Sequence, residues 1–117
     1  MPDPMNAGYV THLDEVLSAR QLLGAPYHEF LRVPSLSAGV YVLPAGGEDP
    51  QRPHAEDEVY LVLHGRGQLR VGADDHPVGP GTIAYVPATA PHRFHSITEE
   101  LQVLVCFAPA ETPEAAG

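Results

Sequence analysis

The stretch that decides the fold runs from Gln51 to Gly65 and reads QRPHAEDEVYLVLHG. From Glu58 onward it has the apolar composition of a β-strand, and it ends at a glycine that favours a turn. His54, Glu56 and Glu58 alternate along the chain, so an extended backbone would place them on one face. Imidazole and carboxylate groups on one inner face suit divalent first-row metals. Taken alone, this pattern is more often that of a solvated acidic turn.

A second stretch, residues 79–96, reads GPGTIAYVPATAPHRFHS. Its glycine-rich turn leads into a strand, Pro87 ends that strand, and His92 opens the next one. His95 has the opposite parity from His92, so it is expected to point away from the interior. The two stretches together favour a metal site more than the first stretch does alone.

Outward from these stretches, the chain divides into a leader at residues 1–26, a strand-rich part at residues 27–108 and a flexible tail at residues 109–117. The leader carries a weak helical pattern over Thr11–Leu23, which Thr11 or His12 could start and which Gly24 ends. Runs that are apolar on both faces predict a closed barrel or a sandwich. The predicted strands are Tyr27–Val33, Leu36–Leu43, Glu58–Leu63, Gly67–Val71, His76–Val78, Thr82–Val86, His92–Ile97 and Leu101–Phe107.

Turn chemistry separates these strands. We expect turns at 64–67 and at 98–100, and we expect Asp74 and Asp75 to form the tip of a hairpin. Thirteen prolines and eleven glycines, spread between apolar runs, favour many short strands over a few long helices.

The chain has 117 residues, of which 44% are hydrophobic, and this is enough for one domain with one core. Its net charge is −9, with six basic residues and no lysine. Nucleic acids and anionic membranes both require a cationic surface, so neither is an expected partner. The first residues have no basic and apolar leader segments, and no stretch is long enough to cross a bilayer. We therefore expect a cytoplasmic protein.

The two stretches together resemble the paired motifs of the cupin superfamily, in particular its small, single-domain, RmlC-like members. In the first motif, Glu58 and Gly65 match with the correct gap of six residues, and His54 matches the second histidine. In the second motif, Gly81, Pro87 and His92 match at the correct spacings. The resemblance covers residues 27–108 and implies an all-β double-stranded β-helix (a jelly-roll barrel), preceded here by a short N-terminal helix.

Three motif positions differ. Thr89 replaces a glycine and Ser96 replaces an asparagine, at positions that serve turn geometry. Arg52 stands where the family has its first histidine, and an arginine cannot bind a metal because it does not lose its proton. Gln51 or Glu56 could supply a replacement ligand. Arg52 either points into solvent or pairs with a carboxylate or phosphate of a substrate at the pocket mouth.

The resemblance implies a divalent metal ion (Fe, Mn, Ni or Zn) held by His54, Glu58 and His92. Two histidines and one carboxylate form the facial triad of non-haem iron oxygenases, and with a water they also suit zinc. The opposite interpretation is an empty pocket in which the motif is only scaffold. Glu56 and Tyr60 are candidate acid–base residues.

The sequence leaves two functions open. One is a metal-dependent enzyme, dioxygenase- or isomerase-like, acting on a small molecule bound in the barrel. The other is a non-catalytic cupin that binds or senses a small molecule. Arg52, Tyr60 and Phe94 are candidate substrate-binding residues, although Tyr60 and Phe94 are also suited to packing. By analogy with the family, we expect a homodimer.

Overall fold

The protein is described by a computed structural model that covers residues 8–50 and 53–112. Its elements are α1 (Leu13–Leu23), β1 (Tyr27–Val33), β2 (Leu36–Leu43), β3 (Asp57–Val71), β4 (Asp74–Val78), β5 (Ile83–Val86) and β6 (His92–Ala108). The strands pair in the order β1-β2-β6-β3-β4, and β5 also pairs with β3. All of these pairings are antiparallel. The predicted all-β, double-stranded β-helix fold with a short N-terminal helix is confirmed.

The helix α1 begins and ends where its sequence provides caps. The Nδ1 of His12 accepts a hydrogen bond from the backbone N–H of Asp14, and Gly24 ends the helix in a left-handed conformation at φ +78°. His12, one of the two predicted start positions, is therefore the N-cap, and the first helical residue is Leu13. Within the part of the chain that the structure describes, no helix has the length and apolar character needed to span a membrane.

The strands β3 and β6 are continuous, so the turns predicted at 64–67 and 98–100 are wrong. The two strands pair along almost their whole length, from Asp57 opposite Ala108 to Val71 opposite His92. Three register shifts between 62 and 68 bend the pair, as β-bulges do. Gly65 lies in this bend at φ +95°, and a side chain there would collide with the Glu100 carbonyl.

The hairpin tip between β3 and β4 is also displaced from its predicted place. Gly72 and Ala73 form the turn, whereas Asp74 and Asp75 are the first residues of β4. The carboxylate of Asp75 accepts hydrogen bonds from the Arg70 guanidinium at 3.0 and 3.1 Å. Because this ion pair joins two paired strands, it keeps Asp75 in the ladder rather than at the tip.

The core lies inside the barrel and follows the alternation of the strands. In β3 the side chains of Glu58, Tyr60 and Val62 are buried, while that of Val59 is 43% exposed. The side chains of β3 that point into the barrel are thus apolar at Tyr60 and Val62 and charged at Glu58. The main core consists of Tyr41, Leu43, Tyr60, Val62, Leu69, Val78, Val86, Phe94, Ile97, Leu101, Val103, Val105 and Phe107.

Candidate metal centre

The structure brings the three predicted metal ligands together in the barrel interior. His54, Glu58 and His92 are 5%, 2% and 7% exposed, and one ligand atom from each lies within 4.8 Å of the other two. Two atoms that share an ion at about 2.1 Å are at most about 4.2 Å apart. Three atoms that share an ion in tetrahedral geometry are about 3.4 Å apart, so the present spacing needs a contraction of at most about 1.4 Å. These residues could hold a divalent metal.

Backbone pairing explains how residues so distant in sequence meet. Glu58 pairs with Val86 at the end of β5, so the loop that follows β5 starts beside the carboxylate. The N–H of Thr89 in that loop donates to the carbonyl of His54 at 2.7 Å. The loop then delivers His92 at the start of β6, next to Glu58.

The surroundings of His92 fix which of its nitrogens faces the other ligands. Its Nδ1 lies 2.9 Å from the carbonyl oxygen of Ala90, which can only accept, so this nitrogen carries the proton. The Nε2 atom lies 3.1 Å from Oε1 of Glu58, in a contact not aligned as a hydrogen bond. When His92 is neutral, its Nε2 lone pair faces a carboxylate oxygen, and two such adjacent acceptors favour a cation that binds both.

The pKa of His92 is affected by the same two neighbours, Glu58 and Ala90. Burial acts to lower the pKa of this imidazole, but the Glu58 carboxylate and the Ala90 carbonyl together outweigh burial and raise it. The electrostatic environment thus favours positive charge at this point of the barrel, as a metal site requires.

One buried carboxylate beside the candidate ligands was not predicted. Glu111 is 5% exposed, and its Oε2 lies 3.1 Å from Nδ1 of His54. Within the predicted flexible tail at residues 109–117, the backbone N–H groups of residues 110–112 donate hydrogen bonds to the barrel, and Glu111 is buried. The only sequence signal was an acidic residue close after the last strand, which is too common to indicate a site.

Glu56 is buried, as its parity with His54 and Glu58 predicts. It is 3% exposed, its Oε2 accepts from the N–H of Thr112 at 3.3 Å, and its Oε1 has no hydrogen-bond partner among residues 8–50 and 53–112. It lies outside the three-residue group, and its predicted roles in acid–base catalysis or as a fourth ligand stay predictions.

Tyr60 and Phe94 are each 1% exposed and pack against one another, with ring centroids 5.0 Å apart. The Tyr60 ring also lies 6.1 Å from the His92 ring. Both side chains belong to the core behind the metal ligands, and their predicted binding of substrate stays a prediction. Arg52 and Gln51 lie outside the described residues.

The two mild departures from the motif occupy left-handed backbone. Thr89 has φ +68° and Ser96 has φ +49°. Glycine and asparagine adopt this region more readily than threonine or serine do, which is why the motif residues suit these positions. Thr89 and Ser96 keep the geometry at the cost of local strain.

A cavity of about 290 Å³ opens beside the candidate ligands. Its wall is mostly apolar and includes Tyr27 and Phe107, whereas His54, Glu58 and Glu111 form its polar part. The Tyr27 hydroxyl is buried and has no hydrogen-bond partner among the described residues. Burial, and then the charge of Glu111, raises the pKa of Tyr27 far above its ordinary value, so the hydroxyl stays a donor.

Comparisons with known proteins agree with this architecture. An uncharacterized protein of Streptomyces coelicolor is 46% identical over 100 residues, which are 86% of this chain and 95% of that one. A structure from Thermus thermophilus matches with a TM-score of 0.66 at 24% identity, covering 86% of this chain and 97% of that one.

The cupin domain of a Schizosaccharomyces pombe protein matches with a TM-score of 0.65 at 22% identity, covering 71% of this chain and 59% of that chain. At these identities the two structures support the fold alone. The family model described as "Cupin domain" matches residues 39–108, which include all three candidate metal ligands. The chain belongs to the cupin domain family.

Proposed function

We propose that this protein is a metal-dependent enzyme, dioxygenase- or isomerase-like, that acts on a small molecule bound in the barrel cavity. The metal would be held by His54, Glu58 and His92, and its identity is one of Fe, Mn, Ni or Zn. When bound, such a metal supplies Lewis acidity or oxygen activation.

One observation carries the metal assignment. The His92 Nε2 and the Glu58 Oε1 face one another at 3.1 Å while the proton of the ring is held on the other side by Ala90. With Nε2 unprotonated, two buried acceptors in contact cost free energy unless a cation binds both. A proton on Nε2 would satisfy the pair, and a coordinated divalent ion would satisfy it while also binding His54.

The cavity supports the small-molecule assignment. Its volume of about 290 Å³ equals that of about ten waters, so it fits a ligand of on the order of ten non-hydrogen atoms. His54 and Glu58 line this cavity, so a ligand inside it would reach the metal. The apolar wall excludes water around an apolar ring or chain, and the Tyr27 hydroxyl can donate to an oxygen of the ligand.

A non-catalytic binding function is the second candidate. It is favoured by one observation: neither of the predicted acid–base residues, Glu56 and Tyr60, lines the cavity. In that case the metal would anchor a ligand without transforming it.

Metal analysis of the purified, untagged protein tests the site first. We expect one divalent metal per chain in the wild type, a loss of this metal in His92→Ala, and no loss in His76→Ala, whose side chain is exposed. Absence of metal from the wild type after loading with each of the four candidates would overturn the proposal.

Oxygen uptake then separates the two functions. The metal-loaded protein is mixed with a panel of small enols, thiols and catechols, and metal-free His92→Ala is the control. Metal-dependent uptake supports an oxygenase, and isomerised product without uptake supports an isomerase. Binding without turnover across the panel supports the non-catalytic function.

We also propose that the protein works as a homodimer in the cytoplasm, as cupins of this size are expected to do. Sedimentation velocity at micromolar concentration tests the assembly, and a purely monomeric boundary would contradict it.

A further inference from the structure

We propose that Glu111 is a positioning residue of the metal site, because its carboxylate lies against Nδ1 of His54, favours a proton there and so leaves Nε2 as the metal-binding nitrogen. This inference rests on the proposed function for its metal, but the part that concerns the His54 proton can be tested without metal. Glu111 lies outside both cupin motifs, on the segment Ala110–Thr112, which we call the C-terminal strap.

The strap is fixed to the barrel through its backbone. The N–H of Glu111 donates to the hydroxyl of Ser37 at 2.9 Å, and Ser37 is fully buried. The carbonyl of Glu111 accepts from the Arg32 guanidinium at 2.6 Å. Arg32 is itself held by Glu29 through two hydrogen bonds of 2.9 and 2.7 Å. Both polar groups of the Glu111 backbone are therefore satisfied, and its side chain is aimed inward by a rigid support.

The next residue of the strap is tied to the same inner face that carries His54. The N–H of Thr112 donates to the carboxylate of Glu56, two residues after His54. The strap thus contacts the ligand-bearing segment at two places, the Glu56 carboxylate and the His54 ring.

The chemistry of the contact determines which nitrogen of His54 is protonated. The 3.1 Å contact between Glu111 Oε2 and His54 Nδ1 is not aligned as a hydrogen bond in this structure, but an ionised carboxylate only accepts, so its approach to Nδ1 favours a proton on that nitrogen. A proton on Nδ1 leaves the lone pair of His54 on Nε2. In His92, a hydrogen bond to the Ala90 carbonyl holds the Nδ1 proton.

Glu111 acts through His54 rather than as a ligand itself. It is not among the residues whose ligand atoms lie within 4.8 Å of one another. A carboxylate that holds the outer N–H of a ligating histidine fixes the tautomer and ring orientation and raises the basicity of the ligating nitrogen. Loss of such a partner typically weakens metal binding by about 10- to 100-fold.

The test compares Glu111→Gln and Glu111→Ala with the wild type and with Glu99→Gln, which neutralises an exposed carboxylate on β6. Long-range ¹H–¹⁵N NMR of the metal-free proteins at neutral pH reports the tautomer of His54. We expect the Nδ1–H tautomer in the wild type and in Glu99→Gln, and a mixture of tautomers in Glu111→Ala. Glu111→Gln retains an acceptor oxygen, so it is expected to retain much of the Nδ1–H form.

Zinc affinity, measured by competition with a chromophoric chelator, is the second readout. We expect binding about 10- to 100-fold weaker in Glu111→Ala, a smaller loss in Glu111→Gln and no change in Glu99→Gln. A strap with only a structural role would lower the melting temperature of the metal-free protein without changing the tautomer or the affinity.

Two results would overturn the assignment of Glu111. One is an Nε2–H tautomer of His54 in the wild type, and the other is zinc affinity in folded Glu111→Ala within about threefold of the wild type. If Glu111→Ala does not fold, unchanged zinc affinity in Glu111→Leu, which fills the space without an acceptor oxygen, has the same meaning. If the wild type binds no metal, the proposed function fails, but the tautomer measurement still decides the role of Glu111.

Discussion

Two tyrosines of the cavity wall are predicted to respond oppositely to loss of their hydroxyl groups. The Tyr41 hydroxyl donates to Oδ1 of Asp49 at 2.6 Å, and Oδ2 of Asp49 accepts from the backbone N–H of Phe94 at 2.9 Å. Asp49 therefore links β2 to β6. A hydrogen bond to a charged acceptor contributes about 1.5–3 kcal/mol, so Tyr41→Phe should lower the free energy of unfolding by about 2 kcal/mol.

Tyr27→Phe should have no cost. Its ring packs edge-on against Tyr41 and Phe107, with centroids 6.1 and 6.4 Å away, and phenylalanine keeps these contacts. Its hydroxyl is buried without a partner among the described residues, so removing it relieves a desolvation penalty. We expect unfolding free energy that is unchanged or up to about 1 kcal/mol higher.

Urea unfolding of the metal-free proteins measures both changes, with the midpoint and slope fitted separately so that changes in the denatured state are recognised. If Tyr27→Phe costs as much as Tyr41→Phe, the Tyr27 hydroxyl has a partner in the native protein and the reasoning is refuted. If only Tyr41→Phe lowers the free energy of unfolding, the Tyr27 hydroxyl is available to a ligand. Tyr27→Phe should then weaken ligand binding although the variant is as stable as the wild type.

Three further predictions concern the loop, the surface and the metal. Thr89→Gly should stabilise the metal-free protein by about 1 kcal/mol in urea unfolding, because glycine adopts φ +68° without strain; a destabilised variant would contradict this. Arg70 and His95 lower the pKa of Asp75 to about 2. Since a lowered folded-state pKa contributes stability above the ordinary value of 3.8, the stability gap between wild type and Asp75→Asn should shrink as the pH falls from about 4 to about 2. A constant gap in urea midpoints would refute this. Zinc at about 100 times its Kd should stabilise the wild type by about 2.7 kcal/mol, or roughly 10 °C in melting temperature, with no shift in Glu58→Ala.

The fold and the three-residue group were predicted through the resemblance to the two cupin motifs, and the structure shows how the motif spacings bring the ligands together. Alternation places His54 and Glu58 on one face of an extended chain. The spacing of the second motif from Gly81 to His92 sets the length of β5 and of the loop after it. Because β5 pairs with β3, this length places His92 beside Glu58. Each step needs only short-range pattern and antiparallel register.

The bends of β3 and β6 were not predictable in the same way. Glycines near His64 and polar residues near Glu99 have turn-like composition, and nothing local distinguishes a chain reversal from a bulge. The decision comes from pairing: Arg66 lies opposite Glu99, so both segments remain in the ladder while the register shifts. The composition at these positions indicates that the strand bends, but it does not show whether the bend is a turn or a β-bulge.

Glu111 could not be found from the sequence for a different reason. Its contact with His54 joins residues 57 positions apart in the chain, and it depends on where the backbone of the strap is held by Ser37 and Arg32. Neither of those residues has a pattern that relates it to residue 111. Only the folded barrel relates them.

The charge inside the barrel gives the strongest physical reason to expect a cation there. Glu56, Glu58 and Glu111 are each at most 5% exposed, and the imidazoles of His54 and His92 are the basic side chains that contact two of them among the described residues. An ionised carboxylate removed from water costs several kcal/mol unless it is paired, and a domain has only about 5–15 kcal/mol of stability in all. A divalent ion bound by Glu58 would offset much of this cost. The three buried acids beside two histidines therefore support the proposal that this barrel binds a metal.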